Sequence, residues 1–351
     1  MLLSLFCGCG GLDIGLEKAE LRVGLAYELR GSAVRSYNRN LGDGNVARVG
    51  DVRSLTLAKL DEDFGSVFQP RGVVGGPPCQ SFSRANALRK APDARSELVR
   101  EFFSLALALH RRCELDFIIM ENVPEVEQAD GGRLLERELN RLRRAGFSVR
   151  KMHLNAINFG VAQSRERLFV TAVNRNKAAG TLRSPPIDKE RRTVWDAIGG
   201  LPEPIHFAEV AKAGAPIHPN HWCMTPRSRR FSDGSLTPGY SRGRSFKTLA
   251  WDQPSPTVSY GHREVHVHPN CRRRLSVYEA MLLQGFPADV ILDGTLSDQL
   301  SQVSEAVPPP LAEQVALAVT SALTGLADQV LPARQLSIQP PAEEAAFQLS
   351  A

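Results

Sequence analysis

Short apolar runs alternate with helical patterns along the first half of the chain, and this alternation restricts the possible folds. The apolar runs lie at 2–6, 23–27, 73–74, 117–120 and 168–173, and the helical patterns lie near 11–19, 97–112 and 132–145. Strands that alternate with helices are typical of βαβ units, in which helices connect parallel strands and cover both faces of the sheet. The sequence therefore predicts an α/β domain with a largely parallel sheet.

The character of the sequence changes between about 176 and 270. Pro, Gly, His and Arg become dense there and helical periodicity is lost, which indicates a smaller irregular domain or a long functional insertion. Helical patterns return at 276–284 and, behind three prolines, at 311–326. We therefore predict a catalytic, cofactor-binding domain at 1–175, a small domain at 176–290, a return to the first domain at 291–328 and a loosely ordered tail at 329–351.

The composition is that of an ordinary soluble globular protein, with 42% hydrophobic and 23% charged residues. No apolar stretch is long enough to span a membrane, and the N-terminus lacks the basic region of a signal peptide. The six cysteines are too few and too scattered for a disulfide scaffold. They form no CxxC pair, which argues against a zinc site although His218, His221 and Cys223 cluster. A reducing cytoplasm fits this cysteine usage.

The net charge of +5 suggests a polyanionic partner without proving one. Arginine, which suits bidentate contacts with phosphate and guanine, outnumbers lysine in this chain. A GC-rich genome that favours arginine codons explains the same excess equally well. Charge alone therefore leaves a nucleic-acid partner open.

A glycine-rich segment, FCGCGG at 6–11, follows the first apolar run and opens a helical pattern. Such a turn lets the backbone and a helix N-terminus approach a ligand closely, but Asp13 stands where a strict dinucleotide fingerprint has glycine. Glu28 ends the second strand and Asp51 ends a possible third one. Each acid alone is a plausible cap or turn residue, whereas the ordered set predicts a nucleoside site for a ligand other than NAD.

The segment GGPPCQSFS at 75–83 displays Cys79 on a stiff, sharply turned loop after a short apolar run. A thiol at the carboxyl end of a strand is a candidate nucleophile. The alternative is a buried, inert cysteine, which is the usual fate of this residue. The flanking prolines and polar residues are poor core material and favour the nucleophile.

Two further segments carry chemistry. Glu121 and Asn122 follow an apolar strand, where a carboxylate can have a raised pKa and act as an acid, or simply cap the next helix. Gln163, Arg165 and Arg167 alternate along an extended segment, so they are expected to share one face and hold an anionic substrate. The alternative for these three is a salt-bridged surface strand.

Taken in order, FCGCGG, Glu28, GDV, GGPPCQSFS, ENV, QSRER, RRLSVYEAMLLQGFP and QVSEAVPPP resemble the motifs of the cytosine-5 DNA methyltransferase family, in its bacterial or phage form. The motifs extend from about residue 3 to 325. The resemblance implies a Rossmann-like sheet that depends on S-adenosylmethionine, with helices on both faces, and a smaller irregular target-recognition domain. It also implies transfer of a methyl group to C5 of a flipped-out cytosine in duplex DNA.

The resemblance assigns residues to a cofactor site that takes S-adenosylmethionine and releases S-adenosylhomocysteine. These residues are Phe6, Gly8, Cys9, Gly10, Gly11, Glu28, Leu29, Asp51, Val52, Pro78, Leu98, Glu305 and Val307. Glu28 is expected to hold the ribose, and Asp51 and Val52 the adenine. No metal is implied.

The resemblance also assigns the chemistry. Cys79 is expected to add to C6 of cytosine, Glu121 to contact N3 and Asn122 to brace the active-site loop, while Gln163, Arg165 and Arg167 surround the target nucleotide. The DNA contacts are expected from Ser83, Arg84, Arg227, Arg229, Arg230, Arg242 and Arg244. We expect a monomer in the prokaryotic cytoplasm, associated with the nucleoid, that acts in a restriction-modification or related defence system with any restriction component encoded separately.

The chain departs from the family pattern at Ser304 and Glu305, where Gly-Asn is usual. On the sequence alone, this change is expected to weaken the cofactor contact, so that Glu305→Asn leaves activity unchanged or tightens binding. Two alternatives stay open. One is a tRNA-methylating branch of the family, which the long arginine-rich insertion disfavours, and the other is a catalytically impaired DNA-binding relative.

Overall fold

The computed structural model describes residues 1–42, 44–78, 94–187, 190–206, 216–242, 246–257 and 266–326, with the side chains of 94–96 and 241–242 left aside. Across these ranges the chain forms a seven-stranded sheet. Its strands are β1 (Leu2–Leu5), β2 (Val23–Glu28), β3 (Ala47–Val49), β4 (Gly72–Gly75), β5 (Phe117–Asn122), β6 (Phe147–Asn155) and β8 (Glu166–Asn174). The short strand β7 (Gln163–Ser164) lies between β6 and β8 in the chain but outside this sheet. The helices that follow the first strands are α1 (Gly11–Lys18), α2 (Gly31–Asn40), α3 (Leu57–Phe64), α4 (Ala94–Cys113) and α5 (Arg133–Arg144).

The strand order is β3-β2-β1-β4-β5-β8-β6, and the neighbours from β3 to β5 run parallel. The predicted α/β sheet is thereby confirmed. β8 runs antiparallel to both β5 and β6, which the sequence did not indicate. Residues 156–165 alone connect β6 to β8, and this connection is too short for the helical crossover that parallel strands need.

Two hydrophobic cores lie on the two faces of the sheet, and successive strand residues alternate between them. In β5, Ile118 belongs to one core and Ile119 to the other, as the period of a strand requires. The first core packs α4 and α5 on the sheet, and the second packs α1 together with α8 (Leu296–Glu305) and α9 (Pro309–Thr324). Gly15 allows α1 to approach α9, because a Cβ there would lie 2.4 Å from the carbonyl oxygen of Pro309.

The helices predicted from periodicity are confirmed with small shifts at their ends, including α7 (Val277–Leu283) and α9. The sequence missed α2, α3, α8 and β6. In α3, Leu57, Leu60 and Phe64 form an apolar stripe, but the helix is only eight residues long and Leu60 alone is fully buried, so the signal is short. In α2 the buried face consists largely of small or polar residues, Ala33, Ser36 and Tyr37 among them.

Between 176 and 270, where the sequence predicts irregular structure, the described ranges contain one short α-helix, α6 (Val194–Ile198), and very short strands. These strands are β9 (Ile205–His206), β10 (Trp222–Cys223), β11 (Ser241–Arg242), β12 (Phe246–Thr248), β13 (Ser255–Pro256) and β14 (His266–Val267). A separate core that includes Val194, Leu249, Leu275 and Leu283 joins them to α7. The boundaries at 176 and 290 stay a prediction, and the expected tail at 329–351 lies outside the described residues. No helix in the described ranges is long and apolar enough to cross a membrane.

Candidate active site

The turn between β1 and α1 presents bare backbone at the carboxyl edge of the sheet. Phe6, Gly8 and Gly10 have φ angles of 55°, 56° and 93°, in the left-handed region that favours glycine. A Cβ on Gly11 would lie 2.5 Å from the carbonyl oxygen of Val307, so this position excludes a side chain. No side chain caps the N-terminus of α1. The turn therefore fits a nucleotide-like ligand that lies against backbone N–H groups.

Glu28 ends β2 beside this turn, as predicted. Its Oε2 accepts a hydrogen bond from the Gly8 N–H at 3.2 Å, and its Oε1 accepts one from the Arg30 N–H at 3.0 Å. The side chain is 12% exposed. The carboxylate is thus oriented by two backbone donors and keeps acceptor positions for ligand hydroxyls.

Asp51 does not end a strand as predicted, because β3 already ends at Val49. It precedes the 3-10 turn Val52–Ser54 instead, and its Oδ1 accepts a hydrogen bond from the Arg53 N–H at 3.0 Å. The Arg53 guanidinium also binds the carboxylate at 3.0 Å through Nε and lowers the pKa of Asp51. Asp51 stays partly exposed next to buried Val52, so it can still accept a hydrogen bond from an adenine amino group.

The C-terminus of α8 joins the glycine turn to the opposite end of the site. Arg165 Nη2 donates to the carbonyl oxygen of Ser304 at 2.7 Å, and Arg30 Nη2 lies 2.5 Å from Oε2 of Glu305. Gln284 Nε2 donates to the carbonyl oxygen of Ala306 at 2.7 Å and fixes the chain beyond the helix. Arg30 was not among the residues singled out from the sequence. Only its position two residues after Glu28 indicated from the sequence that Arg30 could lie at the site.

The other predicted cofactor residues differ in exposure. Cys9 is buried with its Sγ 3.7 Å from the carbonyl oxygen of Gln302, so it can meet a ligand only through its backbone. Leu29 is 65% exposed, Pro78 is exposed and Leu98 is partly buried.

Glu121 lies at the end of β5 and is buried. Its Oε1 lies 2.8 Å from Arg167 Nε. Burial raises the pKa of Glu121 above its ordinary value, and the nearby Arg167 and Arg165 guanidiniums oppose this rise. Gly76 leaves room for the carboxylate, because a Cβ there would lie 2.9 Å from Oε2 of Glu121. The site therefore contains a buried carboxyl group that can be protonated closer to neutral pH than an exposed one.

Asn122 connects this carboxyl group to the loop that leads to Cys79. Its Nδ2 donates to the carbonyl oxygen of Pro77 at 3.1 Å, and its Oδ1 accepts from the Val123 N–H at 2.9 Å. Pro77 is two residues before Cys79, which lies outside the described residues. The described geometry thus fixes the start of the loop next to Glu121.

Gln163, Arg165 and Arg167 come together at the junction of the sheet and the small domain. β7 pairs with β13, with Gln163 opposite Ser255. Gln163 is fully buried, and neither its Nε2 nor its Oε1 has a hydrogen-bond partner among the described residues. Arg165 is 1% exposed and binds Ser304, while Arg167 binds Glu121, so both guanidiniums orient protein groups at the site.

The predicted DNA contacts are only partly described. Ser83, Arg84 and Arg244 lie outside the described residues, and the side chain of Arg242 does too. Arg227, Arg229 and Arg230 are exposed on the small domain, and the Arg230 guanidinium lies 5.1 Å from the centre of the Phe246 ring.

The cluster of His218, His221 and Cys223 has structural contacts. The His221 ring nitrogens lie 3.0 Å from Ser276 Oγ and 2.9 Å from the carbonyl oxygen of Pro202, and His218 stacks on Tyr278 at 4.0 Å. These contacts fasten the small domain to α7. The described ranges contain no group of three or more His, Cys, Asp or Glu placed to hold a metal ion.

Comparisons with known proteins agree on one family. The model of the family described as C-5 cytosine-specific DNA methylase matches residues 1–321. The type II methyltransferase M.FnuDI of Fusobacterium nucleatum is 30% identical, over 92% of this chain and 95% of that protein. The type II methyltransferase M.NgoPII of Neisseria gonorrhoeae is 28% identical, over 92% of this chain and 96% of that protein.

Solved structures share the fold. A proposed DNA modification methyltransferase encoded within an E. coli prophage superposes with a TM-score of 0.76 at 22% identity, over 92% of this chain and 99% of that one. The S. pombe Dnmt2 methyltransferase superposes with a TM-score of 0.58 at 16% identity, over 93% of this chain and 99% of that one.

Proposed function

Because the chain belongs to the C-5 cytosine-specific DNA methylase family, we propose that it methylates C5 of a cytosine within a specific sequence of double-stranded DNA, with S-adenosylmethionine as the methyl donor. The observation that carries the proposal is the buried Glu121 carboxyl group, bound to Arg167 and joined through Asn122 to the start of the Cys79 loop. An acid of raised pKa beside a nucleophile loop is what addition to a pyrimidine ring requires.

Cys79 supplies the nucleophile. Cytosine C5 is too weak a nucleophile to attack a methyl sulfonium, but addition of the Cys79 thiolate to C6 turns the ring into an enamine whose C5 can accept the methyl group. After transfer, a base removes the C5 proton, the C5–C6 double bond re-forms and the thiolate leaves. The ring is inaccessible in a stacked duplex, so the cytosine must be flipped out at a cost of a few kcal/mol.

Glu121 assists the addition at N3 of the ring. Attack at C6 places negative charge on the ring, and a proton donated or shared by Glu121 at N3 relieves it. Arg167 holds the carboxyl group from one side, and Gly76 leaves it space on the other. The group is therefore positioned before the substrate arrives.

The residues at the carboxyl edge of β1 and β2 fit S-adenosylmethionine. The glycine turn and Val307 would line it, Glu28 would hold the ribose hydroxyls, and Asp51 with Val52 would hold the adenine. When bound, S-adenosylmethionine supplies an electrophilic methyl group and leaves as S-adenosylhomocysteine.

The small domain is proposed to read the DNA sequence. Arg227, Arg229 and Arg230 are exposed there and suit contacts with phosphates and guanine edges. The type II relatives support a role in restriction-modification or a related defence system, with any restriction component encoded separately. We place the protein as a monomer in the prokaryotic cytoplasm, with the nucleoid DNA.

The test is methyl transfer from labelled S-adenosylmethionine to duplex DNA, with tRNA as the competing substrate. We expect label in DNA only, and loss of transfer with retained DNA binding in Cys79→Ser. Bisulfite sequencing of DNA from cells that express the chain should then give the recognition sequence. Label in tRNA alone, or normal turnover by Cys79→Ser, would contradict the proposal.

A further inference from the structure

We propose that Glu305 acts as a positioning residue for the cofactor site, because it holds the Arg30 guanidinium away from Glu28. The inference deepens the proposed function, since it rests on Glu28 as the residue that binds the ribose. It reverses the expectation from sequence that Glu305→Asn leaves activity unchanged or tightens cofactor binding.

Arg30 lies between two carboxylates and is shared unequally between them. Its Nη2 lies 2.5 Å from Oε2 of Glu305, whereas its Nε lies 3.5 Å from Oε1 of Glu28. The closer partner is thus Glu305, which is 275 positions away in the chain. The guanidinium faces Glu305 and makes only a long contact with Glu28.

Glu28 needs its free acceptor positions to bind a ligand. Its two oxygens already accept from the N–H groups of Gly8 and Arg30. A guanidinium that turned fully onto this carboxylate would form the bidentate pair that arginine and carboxylate prefer, and would fill the remaining positions. Glu305 therefore keeps Glu28 available by engaging Arg30 itself.

The ion pair between Arg30 and Glu305 contributes little to the stability of the fold. The side chain of Arg30 is 34% exposed and that of Glu305 is 47% exposed, and exposed ion pairs contribute little to folding. The position of Glu305 is nevertheless well fixed, because the carbonyl oxygen of the preceding Ser304 accepts a hydrogen bond from Arg165 at 2.7 Å. The same helix end thus contacts Arg165 on one side and Arg30 on the other.

The test is a double-mutant cycle on the affinity for S-adenosylhomocysteine, measured by isothermal titration calorimetry on the full chain. Glu305→Gln keeps the shape of the side chain but removes its charge, so Arg30 is expected to turn onto Glu28 and weaken binding roughly tenfold. Arg30→Met in the Glu305→Gln background is expected to restore most of the lost affinity. Arg30→Met alone completes the cycle.

Steady-state kinetics give an independent readout. In Glu305→Gln the KM for S-adenosylmethionine should rise, while kcat at saturating cofactor should change little, because Glu121 and the Cys79 loop are untouched. The matched control is Arg35→Met. Arg35 lies in α2 and pairs with Asp293 at 3.2 Å, with 61% of its side chain exposed, so its loss should not alter the affinity. Unfolding temperatures of all variants show whether any loss comes from misfolding.

Three outcomes would overturn the inference. Equal affinity in Glu305→Gln and the wild type would show an inert surface pair. An equal loss in Glu305→Gln and in the double variant would show that Glu305 acts without Arg30. A wild-type protein that does not bind S-adenosylhomocysteine would overturn the inference together with the proposed cofactor, whereas the first two outcomes leave the proposed methyl transfer intact.

Discussion

Arg167 Nε lies 2.8 Å from Oε1 of Glu121, so the only buried carboxylate at the end of β5 in the described ranges is in direct contact with a guanidinium. The contact lowers the pKa of Glu121, while burial, the larger influence, raises it. The pKa of Glu121 is therefore set by two opposing effects, burial at the end of β5 and the charge of Arg167 in β8.

Arg167→Gln removes one of the charges that lower the pKa of Glu121, so this pKa should rise further. If protonated Glu121 assists the reaction, the alkaline fall of kcat/KM should move to higher pH, by on the order of one unit. Arg167→Lys keeps the charge and should shift the profile less. A profile that keeps its shape in Arg167→Gln while only its height falls would show that Glu121 does not titrate in the rate-limiting step.

Gly76→Ala should impair catalysis through Glu121. The added Cβ would lie 2.9 Å from Oε2 of Glu121, so the carboxylate must move. A displaced catalytic group costs on the order of ten- to a hundredfold in kcat, and we expect a loss in this range with little change in cofactor affinity. Gly200→Ala is the control, since a Cβ there meets no atom within 4 Å. Full activity of Gly76→Ala would mean that the position of Glu121 is not critical.

Asp13 predicts a pH dependence of stability. It is buried, accepts a hydrogen bond from Ser4 Oγ at 2.9 Å, and burial raises its pKa from 3.8 to about 7. The folded state therefore binds a proton that the unfolded state has released, and this favours folding fully below about pH 4 and is lost as the pH rises towards about 7. The shift corresponds to at most about 4 kcal/mol.

Asp13→Asn should remove this dependence. The stability of the variant relative to the wild type should therefore be greater at pH 8 than at pH 5, by about 3 kcal/mol in the free energy of unfolding measured with urea, because about two pH units separate pH 5 from the raised pKa. Glu20→Gln provides a control at a turn, since Glu20 is exposed. The same stability difference at both pH values would show that Asp13 is ionised in the folded protein throughout this range.

The site residues that lie at the ends of strands could be predicted from the sequence. Glu28 is the last residue of β2 and Glu121 the last but one of β5, and an apolar run followed by an acid is enough to place them. Asp51 was misplaced by two residues, because β3 is short and a 3-10 turn follows it. The contacts Arg30–Glu305 and Arg165–Ser304 join distant parts of the chain, and no local pattern encodes them. The short connection between β6 and β8 requires the two strands to run antiparallel, but this connection is visible in the sequence only if β6 is recognised as a strand.

Glu279→Ala should separate the stability of the small domain from the cofactor site. Glu279 and Arg273 form a buried bidentate pair, with nitrogen–oxygen distances of 2.8 and 2.9 Å, and Glu279 also accepts from the Ser276 N–H at 2.7 Å. Removal of Glu279 leaves the buried Arg273 guanidinium with the more exposed Glu203 as its remaining carboxylate partner, so we expect a loss of about 3 kcal/mol in the free energy of unfolding, at the low end for a broken buried pair. Arg133→Ala, at an exposed pair, should cost less than about 1 kcal/mol. Because the ion pairs of Glu279 and Arg273 in the described ranges are with each other, Glu203 and His268, and none is with the glycine turn, folded Glu279→Ala should lose DNA affinity more than affinity for S-adenosylhomocysteine, as filter binding and calorimetry can show. Equal losses of both affinities would mean that the two parts of the chain unfold as one unit.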